Sequence, residues 1–158
     1  MSTRAIKLLK SRGINFEVRK YDHKIKGAEF AAVSIDYPLE RTIKTLVVDP
    51  GRKNYMLVLM PGHMKLDLKK LAAFLSVKKV AMADTKTAER LTGYLVGGIS
   101  PFGTRKKLPV VMEASLLNHK KVAINGGQRG TMLLMNPEDI VSLTRCKIFD
   151  SRGNQKEK

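Results

Sequence analysis

Two apolar, β-rich runs, TIKTLVVD and YMLVLM, are separated only by the turn-forming stretch DPGRKN. Runs of this kind joined by so short a connection pair antiparallel, with Pro50-Gly51 in the turn. That one hairpin excludes an all-parallel, doubly wound sheet. The flanking segments carry helix starts and stops. Ser2 or Thr3 caps a first helix with Ala5, Leu8 and Leu9 on one face and Gly13 as its stop. Asp67 caps a helix striped by Leu68, Leu71, Ala72 and Leu75, and Asp84 caps another that ends near Thr92-Gly93. Asn136-Pro137-Glu138 opens a last helix running to about Leu143.

Short strands are expected at INFEVRKY, with Ile14, Phe16 and Val18 inward, and at VKKVAM, Val110–Met112, Lys121–Ile124, TMLLM and the stretch ending near Phe149. Short helices are expected at Glu29–Asp36, ending before Pro38, and at Ala114–Asn118. The pattern is that of one mixed α/β (α+β) domain spanning residues 1–150, with 151–158 as a polar tail.

At 158 residues and 43% hydrophobic content the chain suits one domain with a proper core. No apolar run reaches the roughly 18 residues of a membrane span, and MSTRAIKLLKSRG is too polar for a secretory leader, so a cytoplasmic protein is expected. The lone Cys146 excludes a disulfide framework and a cysteine zinc site, and His23, His63 and His119 follow no ligand spacing, so no metal or cofactor is expected.

Charge is the strongest global signal. Thirty Lys and Arg against fourteen Asp and Glu give 30 − 14 = +16. Such an excess points to a polyanionic partner, nucleic acid first. The cations are spread, as in Lys78-Lys79, Arg105-Lys106-Lys107 and Lys120-Lys121, and tryptophan is absent. That suits a broad phosphate-tracking face better than base readout or a stacking platform.

Two glycine loops interrupt this basic chain: the uncharged GYLVGGISPFG (Gly93 to Gly103) and NGGQRG (Asn125 to Gly130). The first lacks the spacing of a dinucleotide or P-loop motif. Glycines let a backbone approach a ligand with its amides exposed, so the loop reads either as a main-chain oxyanion hole or as a tight turn between packed elements. Ser100 is not in a nucleophile elbow and has no evident His-Asp partners. Lys44, on an apolar strand face with Thr42, Leu46 and Val48, either snorkels to solvent or is held there for a purpose.

In order, AIKLLKSRGINFEVRKYDH, IKTLVV, LDLKKLA, KKVAMAD, LTGYLVGGISPFG and NGGQRG closely resemble the YbaK/EbsC family of aminoacyl-tRNA deacylases from about Ala5 to Phe149. The resemblance implies a central, strongly curved, mainly antiparallel sheet flanked by helices. It also implies hydrolysis in trans of mischarged aminoacyl-tRNA, foremost Cys-tRNA(Pro), with tRNA(Pro) and prolyl-tRNA synthetase as partners and neither metal nor membrane involved. The family's essential lysine falls on Lys44, beside Thr45. Tyr21 and Phe30 match pocket positions. Gly97 matches the glycine whose amide faces the ester carbonyl, with Gly98, Ile99, Ser100 and Pro101 shaping the same wall, and Gly127 matches the glycine of the second loop. Asn125 stands where Cys-tRNA(Pro) deacylases typically show serine, and Met132 where they carry an acid. A deacylase for an Ala or Ser ester, or a non-catalytic module binding tRNA or the synthetase, are the alternatives.

Overall fold

A computed structural model describes residues 2–22 and 37–152. The expected hairpin lies at the centre of the larger sheet. β2 (Ile43–Asp49) and β3 (Met56–Pro61) pair antiparallel from Ile43 opposite Pro61 to Val48 opposite Met56. Their turn is wider than a two-residue Pro-Gly turn. Arg52 and Lys53 both sit at φ 58°, and the Asp49 carboxylate accepts from the Gly51 amide at 2.8 Å.

The remaining elements are, in chain order, α1 (Arg4–Ser11), β1 (Glu17–Lys20), α2 (Leu68–Leu75), β4 (Ala81–Met82), α3 (Thr85–Thr92), β5 (Val110–Glu113), β6 (Val122–Asn125), β7 (Thr131–Met135), α4 (Pro137–Thr144) and β8 (Lys147–Phe149). Thr3, Asp67, Asp84 and Asn136 cap the four α-helices of the described residues, each accepting from backbone amides of the first turn. The larger sheet has the order β4-β2-β3-β5-β8. β5 and β8 run parallel to β3, so it is mixed. The smaller sheet, β1-β7-β6, is antiparallel throughout, and the single parallel bridge Thr42–Ala123 joins it to β2. The domain is α+β, and antiparallel pairs predominate.

All six residues of β3 are buried because both faces of the larger sheet are covered. Ile43, Val47, Leu57, Leu59 and Met112 face one core cluster with residues of α1, α3 and α4. Val48, Met56, Val58, Met60 and Val111 face the other, where Leu71 and Ala72 of α2 pack. β1 differs from its expectation. Ile14 and Phe16 do pack on the main core, but only Glu17–Lys20 form the strand, and Val18 is 40% exposed. Among the described strands β1 lies at the sheet edge and pairs with β7 alone, which leaves Val18 partly uncovered. The short helix expected at Ala114–Asn118 is present as a 3-10 helix, and Cys146 is a buried core residue whose thiol is pushed up by burial. The helix expected at Glu29–Asp36 lies outside the described residues.

Packing continues one residue into the stretch read as a tail. Glu113, 2% exposed, accepts from the Ser115 amide and hydroxyl and from the Ser151 amide and hydroxyl. Burial alone would raise its pKa, but these four hydrogen bonds outweigh it and hold the carboxyl below its ordinary 4.5. A depressed folded pKa adds stability that is full above the unfolded value and is lost as pH falls through the folded one. We therefore expect Glu113→Gln, which turns an amide group toward the two serine amides, to cost about 1–3 kcal/mol in urea unfolding at pH 7. Its deficit should shrink as pH falls below 4.5. An equal deficit at pH 7 and pH 3 would refute the ionised network.

Candidate active site

Both glycine loops meet at the end of α3. Gly93 ends that helix at φ 78°, and the following Tyr94 is buried, its hydroxyl donating to the Phe102 carbonyl and its ring 5.0 Å from the Arg4 guanidinium. The second loop lies against the first. A Cβ on Gly98 would stand 2.9 Å from the Arg129 amide nitrogen, and one on Gly127 2.8 Å from Tyr94 Cε1. Gly127 also sits at φ 92°, which disfavours any side chain. Thr3, the cap of α1, donates its hydroxyl to the Gly126 carbonyl at 2.6 Å, so the first helix anchors the second loop as well.

Within the first loop nearly every polar group around Gly97 is engaged. Glu89 Oε2 accepts from the Val96 amide at 2.8 Å, and Arg129 Nε donates to the Val96 carbonyl at 2.7 Å. Asn125 Nδ2 donates to the Gly97 carbonyl at 2.7 Å while its Oδ1 accepts from the Gly127 amide at 3.0 Å. The Gly98 amide donates to the Leu95 carbonyl at 2.8 Å. The Gly97 amide, at φ 96°, has no acceptor among the described residues. An unengaged, pre-oriented backbone donor is what stabilises a developing oxyanion.

Lys44 belongs to the sheet face beside these loops. Strand partners share a face, and side chains alternate along each strand. The Thr42–Ala123 bridge and the Asn125–Met132 and Arg19–Met132 pairs therefore put Thr42, Lys44, Ala123, Asn125, Met132 and Arg19 on one side. Lys44 and Asn125 each lie two residues beyond the bridge in the same direction. Ala123, Met132 and Leu134 form the floor of this face, with Tyr21 and Tyr37 packed against them. The Arg41 guanidinium lies 4.9 Å from the Tyr37 ring, whose hydroxyl donates to the Lys121 carbonyl at 3.0 Å. Burial raises the Tyr21 phenol, opposed by a backbone hydrogen bond at Gly130. The result is an apolar floor with a cationic, phenolic rim.

Comparison with known proteins decides what chemistry this is. The model of the aminoacyl-tRNA editing domain matches residues 22–143. The chain belongs to that family. An Enterococcus faecalis protein named "Putative Cys-tRNA(Pro)/Cys-tRNA(Cys) deacylase EbsC" is 37% identical over 117 residues, 74% of this chain and 71% of that protein. The Escherichia coli K12 "Multifunctional Ser/Thr-tRNA deacylase ProXp-y" is 25% identical over 154 residues, covering 94% and 91%. A solved structure described as a "putative trans-editing enzyme for prolyl tRNA synthetase" superposes with a TM-score of 0.84 at 26% identity, covering 95% and 97%. This editing-domain protein is thus an aminoacyl-tRNA deacylase with a single α+β domain, and aminoacyl-tRNA is its substrate class. No helix among its described residues is long and apolar enough to cross a membrane.

Of the residues the sequence singles out, Lys44, Tyr21, Met132, Asn125, Gly97 and Gly127 fall around the joined loops and the adjoining face. Met132 is only 2% exposed, part of the floor itself. Thr45 points the other way: it shares the main-core side with Ile43 and Val47, and its hydroxyl is buried with no partner among the described residues. Ile99, Ser100 and Pro101 are buried inside the loop's own packing, with Ser100 Oγ accepting from the Phe102 amide at 3.1 Å, so they hold the wall from behind. Gly98 is a contact point for the second loop, its amide committed to Leu95. Phe30 lies outside the described residues. Sequence reasoning missed Tyr37, Arg19, Arg41, Glu89 and Arg129; Tyr37 and Arg129 gain their meaning from partners 84 and 33 residues away, Arg19 from its pairing with Met132, and no motif marks Arg41 or Glu89. A cavity of about 200 Å³ behind the first loop, lined by Leu8, Pro101, Phe102, Thr104, Lys107 and Leu143 among others, includes none of the Lys44 face.

Backbone rather than a flexible side chain faces Gly98, so Gly98→Ala must push the loops apart. We expect it to cost about 1–3 kcal/mol in thermal unfolding. An unchanged Tm would show that the loops do not touch in solution.

Proposed function

We propose that the protein removes cysteine from mischarged Cys-tRNA(Pro) in trans, the substrate's own thiol acting as nucleophile. The observation that carries this reading is the unengaged Gly97 amide, fixed beside a face that offers a cation and an apolar floor. Among the described strand residues of that face, the carboxylate is Glu17, paired with Arg19 at 2.7 Å. In the proposed step the thiol sulfur bonds to the ester carbonyl carbon and the bond to the tRNA ribose oxygen breaks. The thiol proton passes to that oxygen, and water then opens the released thiolactone. The Gly97 amide stabilises the carbonyl oxygen as it becomes negative, and Lys44 binds a phosphate or ribose oxygen of the acceptor end, fixing the ester.

The floor favours a thiol. Met132, Ala123 and Leu134 give a hydroxyl no hydrogen-bond partner, whereas a thiol behaves as a small hydrophobe. The net charge of +16 and the exposed Lys78, Lys79, Arg105, Lys106, Lys107, Lys120 and Lys121 supply salt-sensitive attraction to the tRNA backbone. tRNA(Pro) is then selected with the help of prolyl-tRNA synthetase in a ternary complex.

Hydrolysis of Cys-, Ala- and Ser-tRNA(Pro) by wild type and Lys44→Ala tests this. We expect the cysteine ester alone to fall, and Lys44→Ala to slow it by about 100-fold or more. Equal rates on the cysteine and serine esters would sink substrate assistance. Loss of the alanine ester instead would assign the floor to a different side chain. None of the three esters falling faster than without protein would leave another charged tRNA as the substrate. Thr45→Val separates the two faces of β2. Its hydroxyl has no partner to lose, so stability should hold or rise. Cysteine deacylation should stay within about twofold, as expected of a site outside the reacting region. A large loss of activity at unchanged stability would bring Thr45 into the site.

A further inference from the structure

We propose that Arg129 is a positioning residue for the ester carbonyl, acting through the Val96 carbonyl rather than by touching substrate. This rests on the reading that the Gly97 amide meets the ester oxygen. The Val96–Gly97 peptide is trans, so its carbonyl and its N–H point in opposite directions. Holding the carbonyl at 2.7 Å from Arg129 Nε therefore aims the amide the other way. The bond is charge-assisted, and the guanidinium is planar and always ionised.

Glycine makes such a hold necessary. At φ 96° Gly97 has no Cβ to restrict rotation of the peptide planes on either side. Those planes are fixed instead from outside the loop. Arg129 and Glu89 hold the two polar groups of Val96, and Asn125 holds the Gly97 carbonyl. Asn125 and Arg129 come from the same short second loop, which also touches Gly98. The second loop therefore works as a brace that keeps one amide of the first pointed into the site.

The rival role for Arg129 is a tRNA phosphate contact. Arg129→Lys keeps the charge but not the planar Nε donor. We expect kcat on Cys-tRNA(Pro) to fall about 100-fold in Arg129→Lys and in Arg129→Ala, with KM within about twofold and the salt dependence of KM unchanged. Added ethylguanidinium should recover part of the kcat of Arg129→Ala. A Lys variant near wild type, with a raised and less salt-dependent KM in the Ala variant, would overturn the proposal in favour of phosphate binding. Amide NMR provides a readout independent of activity. The Gly97 N–H resonance should move in Arg129→Lys, and in wild type the Arg129 Nε–H should exchange slowly with solvent. An unmoved Gly97 resonance, or a freely exchanging Nε–H, would overturn the brace even if the wild type left Cys-tRNA(Pro) intact. That last result alone would instead remove the proposed substrate. If the Ala variant fails to fold, the Lys variant and the wild-type exchange measurement decide.

Discussion

The bridge between Thr42 and Ala123 is the contact on which the rest depends. β2 is the shared member of two sheets: β3 pairs along one edge, while β4 pairs at Val48 and Asp49 and β6 touches at Thr42 on the other. Thr42 is fully buried, its hydroxyl donates to the Pro38 carbonyl at 2.9 Å, and its own carbonyl accepts from the Gly62 amide at 2.7 Å. These bonds fix where β2 begins. They also set the alternation that puts Lys44 on the side of Met132 and Asn125 and Thr45 on the side of the core. A one-residue slip would exchange the two.

From that junction the proposed site follows as a set of divided tasks. The strands supply a rigid floor and carry the lysine. The loop after α3 supplies a backbone donor, and the loop between β6 and β7 orients it. Charged groups brace the active loop from the outside, through Glu89 and Arg129, while the loop itself stays uncharged. A formal charge beside the Gly97 amide would compete for the oxyanion or repel it. Amides and carbonyls held by side chains one step away give orientation without that conflict. Lys78, Lys79, Arg105, Lys106, Lys107, Lys120 and Lys121 lie at exposed positions, where the proposed function has them attract the tRNA backbone.

The glycines divide in the same way. Gly127 is needed for its backbone conformation and for closeness to Tyr94, Gly98 for closeness alone, and Gly97 for its conformation and its unengaged amide. The pattern GYLVGG marks the loop as special, but these three reasons are separable only when the neighbouring chain is seen.

Local signals in the sequence determined the helix caps at Asp67, Asp84 and Asn136, narrowed the first cap to Ser2 or Thr3, and marked the β2–β3 hairpin and the strand TMLLM, because capping and strand patterning act over a few residues. The order of motifs, Lys44 and the two glycine loops, also carried the family. Tertiary structure alone decided that β3, β5 and β8 run parallel, that Val18 is exposed, and that Thr45 faces away from Lys44. It alone brought Arg129 to Val96, 33 residues away, and Asn125 to Gly97, 28 residues away. Such pairings depend on how two sheets meet and which loops then touch, and no short-range pattern encodes that. Gly97 is a glycine like any other in the sequence; its amide becomes a candidate donor only once both polar groups of Val96, the Gly97 carbonyl and the Gly98 amide are seen to be engaged.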